Sequence, residues 1–450
     1  MTLLAFFLVS KSQIRMTNKK TPTFAGVIYF AGPGEDFPSS SPAIMQPLSG
    51  QPVLQYTLDT LQDVTGKSAS LILDRELPNL TEEPLIEDVA LVLQEGSNPI
   101  TALESKYKEN ADHLLLAPAN MPLLTAATLK KLMGEHLAPD SPPAITAAYT
   151  RSPGKQQFDH QDQRENPAGV FCISAYWLWE IESQLPKSLS LNSLLADLVL
   201  AASSAGLTVQ SFNFIDPEET LVIESLVDLS KAETLMRLRT NHNLMRSGVT
   251  IIDPNTTYID AGVEVGQDTI IHPNTYLRGL TRIGEACQIG PNSLIMDTRI
   301  GDRCEVTFSV TESAVLEDDV DIGPFAHLRK GAHLAQGVHM GNYGEVKNSY
   351  LGPGTKMGHF SYIGDANIGP GVNIGAGVIT ANYDGSSKYP TEIGADAFIG
   401  SDTMLIAPLK IGAGARTGAG SVVNKDVPPN SLAVGIPARI IRKLEDNDGS

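Results

Sequence analysis

From about residue 250 onward, aliphatic side chains return on a near-six-residue beat, each followed by glycine: Ile283-Gly284, Ile289-Gly290, Leu351-Gly352, Met357-Gly358, Ile363-Gly364, Ile368-Gly369, Ile374-Gly375, Ile393-Gly394, Ile399-Gly400 and Ile411-Gly412. A single Ile-Gly pair carries no information, but fixed-period self-similarity decides a fold. Each hexapeptide reads as one flat face of a triangular coil, with the aliphatic side chain pointing to the axis and glycine where a Cβ would clash. The stacked coils predict a left-handed parallel β-helix held by nearest-neighbour packing. The beat breaks from Thr380 to Pro390, a polar, glycine-containing stretch longer than one rung. It is expected to loop out of the prism, where binding chemistry tends to sit.

The first half has a different pattern. Apolar runs at 25–30, 69–73 and 114–117 read as strands, and 53–61 and 126–132 as helices, an α/β arrangement of the doubly wound, Rossmann-like kind. Between 228 and 248 the apolar spacing becomes helical, with Leu235, Leu238 and Leu244 on one side, Ser230 as the cap and Gly248 as the stop. The chain therefore divides into 1–23, a leader or mis-assigned start; 24–227, an α/β domain; 228–248, a linker helix; 249–438, the β-helix; and 439–450, a tail. Met1 to Arg15 carries a short apolar run without a basic flank, a poor signal peptide, and Met16 reads as the start.

Charge narrows the partners. Of 450 residues 51 are acidic and 33 are lysine or arginine, a formal charge of -18, which argues against nucleic acid or an anionic membrane surface. Three cysteines without CxxC spacing give neither a disulfide framework nor a zinc site, as fits a reducing cytoplasm.

The glycines Gly32 and Gly34 follow the first strand in a loop of the type that cradles phosphates. Together with Pro42 to Leu54, this loop resembles the signatures of nucleotide-sugar pyrophosphorylases, and the resemblance exposes departures. Glu35 and Asp36 stand where the family has Thr-Arg, Ala43 replaces its lysine, and Asn120 replaces the aspartate that holds magnesium. Asp228-Leu-Ser230 lacks the family's asparagine. Nucleotidyl transfer rests on positioning and charge neutralisation. Residues 24–226 are thus expected to be a fold retained without its chemistry, leaving magnesium no assured role.

The second half keeps its candidates. N-acetylation needs a base for an ammonium proton, donors for an oxyanion and, for a sugar phosphate, cations. His359 suits the first task, since imidazole titrates near neutrality. The segments 322–329, 341–347, 358–365, 373–377, 382–385 and 400–403 resemble the bifunctional N-acetylglucosamine-1-phosphate uridyltransferase/glucosamine-1-phosphate N-acetyltransferase family. That resemblance implies His359 as general base; Arg329, Lys347, Tyr362, Asn373 and Lys388 around the amino-sugar phosphate; and Ala376, Asn382, Tyr383, Ser401 and Ala419 along acetyl-CoA. It also implies a homotrimer. Ile436 falls where the family has an arginine for the CoA 3′-phosphate, with Arg439, Arg442 and Lys443 as nearby substitutes.

The reading that follows is a cytoplasmic acetyltransferase that passes the acetyl group of acetyl-CoA to glucosamine-1-phosphate, toward UDP-N-acetylglucosamine. Its alternatives are a fully bifunctional enzyme, an acetyltransferase for another amino sugar, and a scaffold without catalysis.

Overall fold

The computed structural model describes residues 21–30, 37, 39, 41–73, 90–92, 98–149, 167–185, 190, 191, 193–214 and 216–444. Two compact units emerge: residues 1–46 with 53–228, and residues 47–52 with 229–450.

In the first unit, the described residues form a seven-stranded sheet in the order Ala90–Val92, Ser70–Leu73, Phe24–Phe30, His113–Pro118, Pro167–Ser174, Ile145–Tyr149, Val209–Asn213. Phe24–Phe30 is parallel to both neighbours, while Pro167–Ser174 runs antiparallel to the strands on either side. Helices Val53–Thr65 and Ala126–Leu137 extend beyond the expected spans by four and five residues respectively. Thr125 caps the second of these, accepting from the Thr128 N–H, and the buried Glu219 accepts from the N–H and hydroxyl of Thr125. A carboxylate at that end offsets the orphan N–H groups and the positive end of the helix dipole.

A buried histidine pair lies between this helix and the sheet. His136 is within 3.1 Å of His113 Nδ1 through Nε2 and 2.9 Å of the Thr146 hydroxyl through Nδ1. Burial, and then the neighbouring His113, pushes the His136 pKa down to about 4; burial also lowers that of His113, against an opposing pull from Asp112. A histidine in the unfolded chain titrates near 6.5. The unfolded state therefore binds more protons at lower pH, so the stabilisation is complete above about 6.5 and falls away towards 4. Urea midpoints of this unit measured across that window should drop for the wild-type chain and flatten for His136→Gln.

The helix Leu226–Arg246 begins two residues before the expected linker boundary at 228. Ser230 therefore lies inside it, and the capping falls to Ser225, whose Oγ accepts from the Asp228 N–H at 3.2 Å and donates to the Asp228 carboxylate at 2.6 Å. Ser-x-x-Asp with both bonds is a variant of the capping box. Gly248, at φ +101°, ends the helix. Asn241 then fastens it to the first coil by donating to the carbonyls of Pro254 and Thr257, and Arg237 lies over the Tyr258 ring.

From Thr250 onward three parallel sheets wind together, with twelve, ten and nine strands among the described residues. We call them the first, second and third faces. Side chains of the six-residue beat stack in register inside: Met340, Met357, Ile374 and Ile399 on the first face, Leu328, Val346 and Ile363 on the second, Leu351, Ile368 and Ile393 on the third, all nearly or fully inaccessible to solvent. Glycine at the corner is a steric demand: a Cβ on Gly375 would lie 2.6 Å from Ser401 N of the next coil. Cys287 and Cys304 are buried and free, on consecutive coils. The stretch 382–390 leaves the prism between Ile379–Ala381 and Thr391–Ile393.

Residues 439–443, expected in the tail, belong instead to the strand Ala438–Lys443, which turns back antiparallel on Ser431–Gly435 and closes the first face. Its Ala-Arg-Ile-Ile-Arg-Lys sequence lacks the glycine beat, so the hexapeptide signal gave no sign of it.

Candidate active site

The corner between the first and second faces aligns four of the expected residues. Met357, Ile374, Ile399 and Thr417 are successive inward positions in register on the first face. His359, Ala376, Ser401 and Ala419 each lie two residues further on, so they form one edge, coil above coil. Glycine precedes each of them, at 358, 375, 400 and 418. The small residues beyond the histidine leave that edge open.

One coil below His359, in register, is Asn342. Its Oδ1 is 3.0 Å from His359 Nδ1. This contact puts a proton on Nδ1, which donates to the amide oxygen, and leaves the lone pair of Nε2 turned outward on an exposed ring. The sequence reading missed Asn342. Its signal is the Gly341-Asn342 pair, at the same place in the beat as Gly358-His359.

A second group gathers across the second face. Arg329 follows the strand His327–Leu328, and Lys347 ends Glu345–Lys347 at the equivalent position, level with Gly364 of the next coil. Arg329 Nη1 donates to Glu345 Oε1 at 2.9 Å, and Glu345 holds the guanidinium more basic than usual. Tyr362, in register with Glu345, folds its ring over Gly364; a Cβ there would lie 2.7 Å from Tyr362 Cζ and 2.9 Å from Asn382 Nδ2. Asn382 is buried and donates to Asp365, which also accepts from Asn348 at 2.6 Å. Glycine at 364 is thus what lets Tyr362 and Asn382 share one space.

Lys388 and Tyr383 face each other in the ejected loop, and the Tyr383 hydroxyl donates to the Gly385 carbonyl at 2.6 Å. The loop is organised by Asp384, whose carboxyl sits at about 2 because the N–H groups of Ser387 and Ser386 and the Ser386 hydroxyl donate to it. Asn373 stands apart from the Arg329 group, on the outer side of the first face between Lys356 and Phe398. The expected residues therefore occupy an edge, a face and a loop of one prism.

Residues 390–425 match the family model described as a hexapeptide repeat of succinyl-transferase. Over 433 residues the chain is 35% identical to the bifunctional protein GlmU of Carboxydothermus hydrogenoformans, covering 91% of this chain and 97% of that one. It is 34% identical over 450 residues to the corresponding protein of Thermotoga petrophila, covering 93% and 97%. The chain belongs to the bifunctional GlmU family. Among solved structures, a nucleotidyl transferase from Methanothermobacter thermautotroptrophicus is 16% identical, over 49% of this chain and 99% of that one, with a TM-score of 0.36.

Family membership spans both halves, so the first unit bears on the activity too. Gly32, Gly34 and Asp36 lie outside the described residues. Ala43 is fully buried in the turn Ala43–Met45, with no polar group to offer. Asn120, in the turn after the strand His113–Pro118, forms a two-way clasp: its side-chain Nδ2 donates to the Ile223 carbonyl at 3.1 Å while its main-chain carbonyl accepts from the Ile223 N–H at 2.9 Å. An amide can donate there; a carboxylate would set two acceptors against each other. Asn120 brings no charge to this position, where a hard divalent cation favours charged oxygen. Asn120→Asp should therefore destabilise the first unit by about 1–3 kcal/mol, the cost of an unpaired buried acceptor, without bringing pyrophosphate release from UTP. Urea unfolding and a pyrophosphate assay on the same preparation check both statements. Among the described residues no helix is long and apolar enough to cross a membrane.

Proposed function

We propose that the prism transfers the acetyl group of acetyl-CoA to the amine of glucosamine-1-phosphate, with His359 as general base. The observation that carries this reading is the His359–Asn342 contact at the start of the small-residue edge Ala376, Ser401, Ala419. Nε2 is presented to take the ammonium proton, and the freed amine then attacks the thioester carbonyl. The edge gives the pantetheine arm a groove without bulky side chains, with Ser401 or a corner N–H steadying the oxyanion. Arg329 and Lys347, with Tyr362, Asn373 and Lys388, serve the sugar phosphate; Asn382 and Tyr383 close the pocket. Release of the free thiol of CoA, with glucosamine-1-phosphate as acceptor and His359→Ala as control, is the test. An unchanged rate in the variant would sink the assignment.

Because these residues are spread over an edge, a face and a loop, the complete site is proposed to form between neighbouring copies in a homotrimer. An exposed aromatic ladder supports association: Phe308 lies tilted against Phe325 at 5.8 Å between centroids, and Phe325 stacks on Tyr343 at 5.2 Å, the last two more than half exposed. Monomers rarely leave such a stripe bare. Sedimentation of the full chain as a single 48.1 kDa species would reject the trimer.

The first unit is read as a nucleotidyltransferase fold without uridylyl transfer, on the strength of Ala43 and the Asn120 clasp. The second reading is a fully bifunctional enzyme, favoured by relatives matching over more than 90% of the chain. Magnesium-dependent pyrophosphate release from UTP decides for the second.

A further inference from the structure

The corner between the second and third faces is turned, coil after coil, by residues of positive φ: Asp297 and Ser313 at +47°, Asn348 at +45° and Asp365 at +49°. An aspartate at a corner of this prism has an ordinary task, which Asp297 performs: its Oδ1 accepts from the Leu280 N–H of the coil below at 3.0 Å. Asp302 and Asp318, at another corner, likewise accept from main-chain N–H groups. Asp365 departs from this. Its carboxylate accepts from two side-chain amides, Asn348 Nδ2 on Oδ1 at 2.6 Å and Asn382 Nδ2 on Oδ2.

The main chain of Asp365 is anchored as well. Its N–H donates to the Lys347 carbonyl at 3.2 Å, and its carbonyl accepts from the Thr391 N–H at 3.1 Å. The ejected stretch leaves the prism at Asn382 and rejoins it at Thr391. One residue thus holds both roots of the loop, the first through its carboxylate and the second through its carbonyl. Between them the Asn382 carbonyl accepts from the Tyr389 N–H at 2.8 Å, which closes the loop on itself.

The chemistry of this contact fixes an orientation. A carboxylate only accepts, so Asn382 has to turn its NH2 toward Asp365. Its Oδ1 lies on the other branch of the amide, and among the described residues it receives no hydrogen bond. Beside it, Tyr362 and Asn382 share the space above Gly364.

We propose that Asp365 is a positioning residue for acyl transfer: it locks the Asn382 amide with its oxygen free to accept from an N–H or O–H of a substrate, and ties down the loop that carries Tyr383 and Lys388. The proposal rests on the reading of Asn382 as part of the pocket. Bonds to an ionised acceptor suit the task, being shorter and stronger than neutral ones.

Asp365→Asn tests it, because asparagine tolerates positive φ and keeps the corner. The substituted side chain can donate to Asn382 Oδ1 as readily as accept from Nδ2, so the orientation is no longer fixed. In thiol-release kinetics kcat/KM is expected to fall about tenfold, the scale of one lost hydrogen bond to a charged group. A raised KM for glucosamine-1-phosphate marks the sugar as the partner of Oδ1, and a raised KM for acetyl-CoA marks the donor arm. Asn382→Ala should lose at least as much, and adding Asp365→Asn to it should cost nothing further, since one residue acts through the other. The exchange Asp365→Asn/Asn382→Asp again sets an amide against a carboxylate with an oxygen outward, and should recover most of the loss. A merely structural role predicts a deeper loss there. Unchanged kinetics in Asp365→Asn, additive losses with Asn382→Ala, or an exchange no better than Asp365→Asn alone each overturn the positioning. A wild-type chain that releases no thiol rejects the acceptor instead, and trypsin cleavage after Lys388 then decides. Cleavage should be about tenfold faster in Asp365→Asn, through local opening of the loop, and return to the wild-type rate in the exchange. Equal cleavage in all three overturns the positioning there too.

Discussion

Replacing His359 with alanine is expected to lower kcat for acetyl transfer by about 10²- to 10⁴-fold, the range a positioned general base contributes, with little change in the KM for acetyl-CoA. On the proposed reading the donor would meet the edge mainly through residues other than the histidine, so binding should outlive the loss of the base. Asn342 allows a finer test. Its Oδ1 holds the Nδ1 proton of His359 at 3.0 Å. Asn342→Ala frees the ring to rotate and to exchange tautomers, and about a tenfold loss in kcat is expected, within the range for a misoriented catalytic group. Asn342→Asp keeps the acceptor oxygen and should retain most of the rate. Steady-state kinetics on the three variants checks this, and equal losses for Asn342→Ala and Asn342→Asp would show that the contact does not orient the base.

The largest effect on stability is expected from Ile363→Ala. Ile363 is inaccessible to solvent, with Val346 in register below it and Thr380 above. Truncating a fully buried isoleucine typically costs about 2–5 kcal/mol, part lost transfer energy and part residual cavity. In a solenoid the loss has a further effect. Each coil is held only by its neighbours, so weakening this layer should uncouple the coils after it from those before. Urea unfolding followed through the prism should split, with the C-terminal coils melting first; a single transition at the wild-type midpoint would contradict this. The layer above has little slack, since Thr380 Oγ1 accepts from the Gly364 N–H at 2.7 Å.

That threonine shows where sequence reading stopped. The aliphatic-glycine beat yields the left-handed β-helix because burial there is strictly periodic, and Ile363, Ile368 and Ile374 all lie inside as the beat requires. Thr380 and Thr417 are just as buried but polar, and their places follow from hydrogen bonds to neighbouring coils. The candidate residues could be named one by one from resemblance, but the edge that joins His359 to Ala376, Ser401 and Ala419 needs the register between coils. Asn342 was hidden for the same reason: its partner is one full coil away. Ser230 looked like a cap because apolar spacing cannot locate the first turn, whereas Ser225 with Asp228 satisfies the helix N-terminus. The strand Ala438–Lys443 depends on antiparallel pairing with Ser431–Gly435, and no local periodicity records it.

That returning strand has a consequence for the solubility of the whole molecule. A stack of parallel coils ends in bare N–H and C=O groups, a template on which another molecule could continue the winding into a filament. On the first face the chain covers its last coil with a strand running the opposite way, which is bulged against its partner and carries Arg439, Arg442 and Lys443. Bulges and positive charge both discourage edge-to-edge growth. The closing hairpin thus presents a charged, irregular end to any chain that could extend the stack.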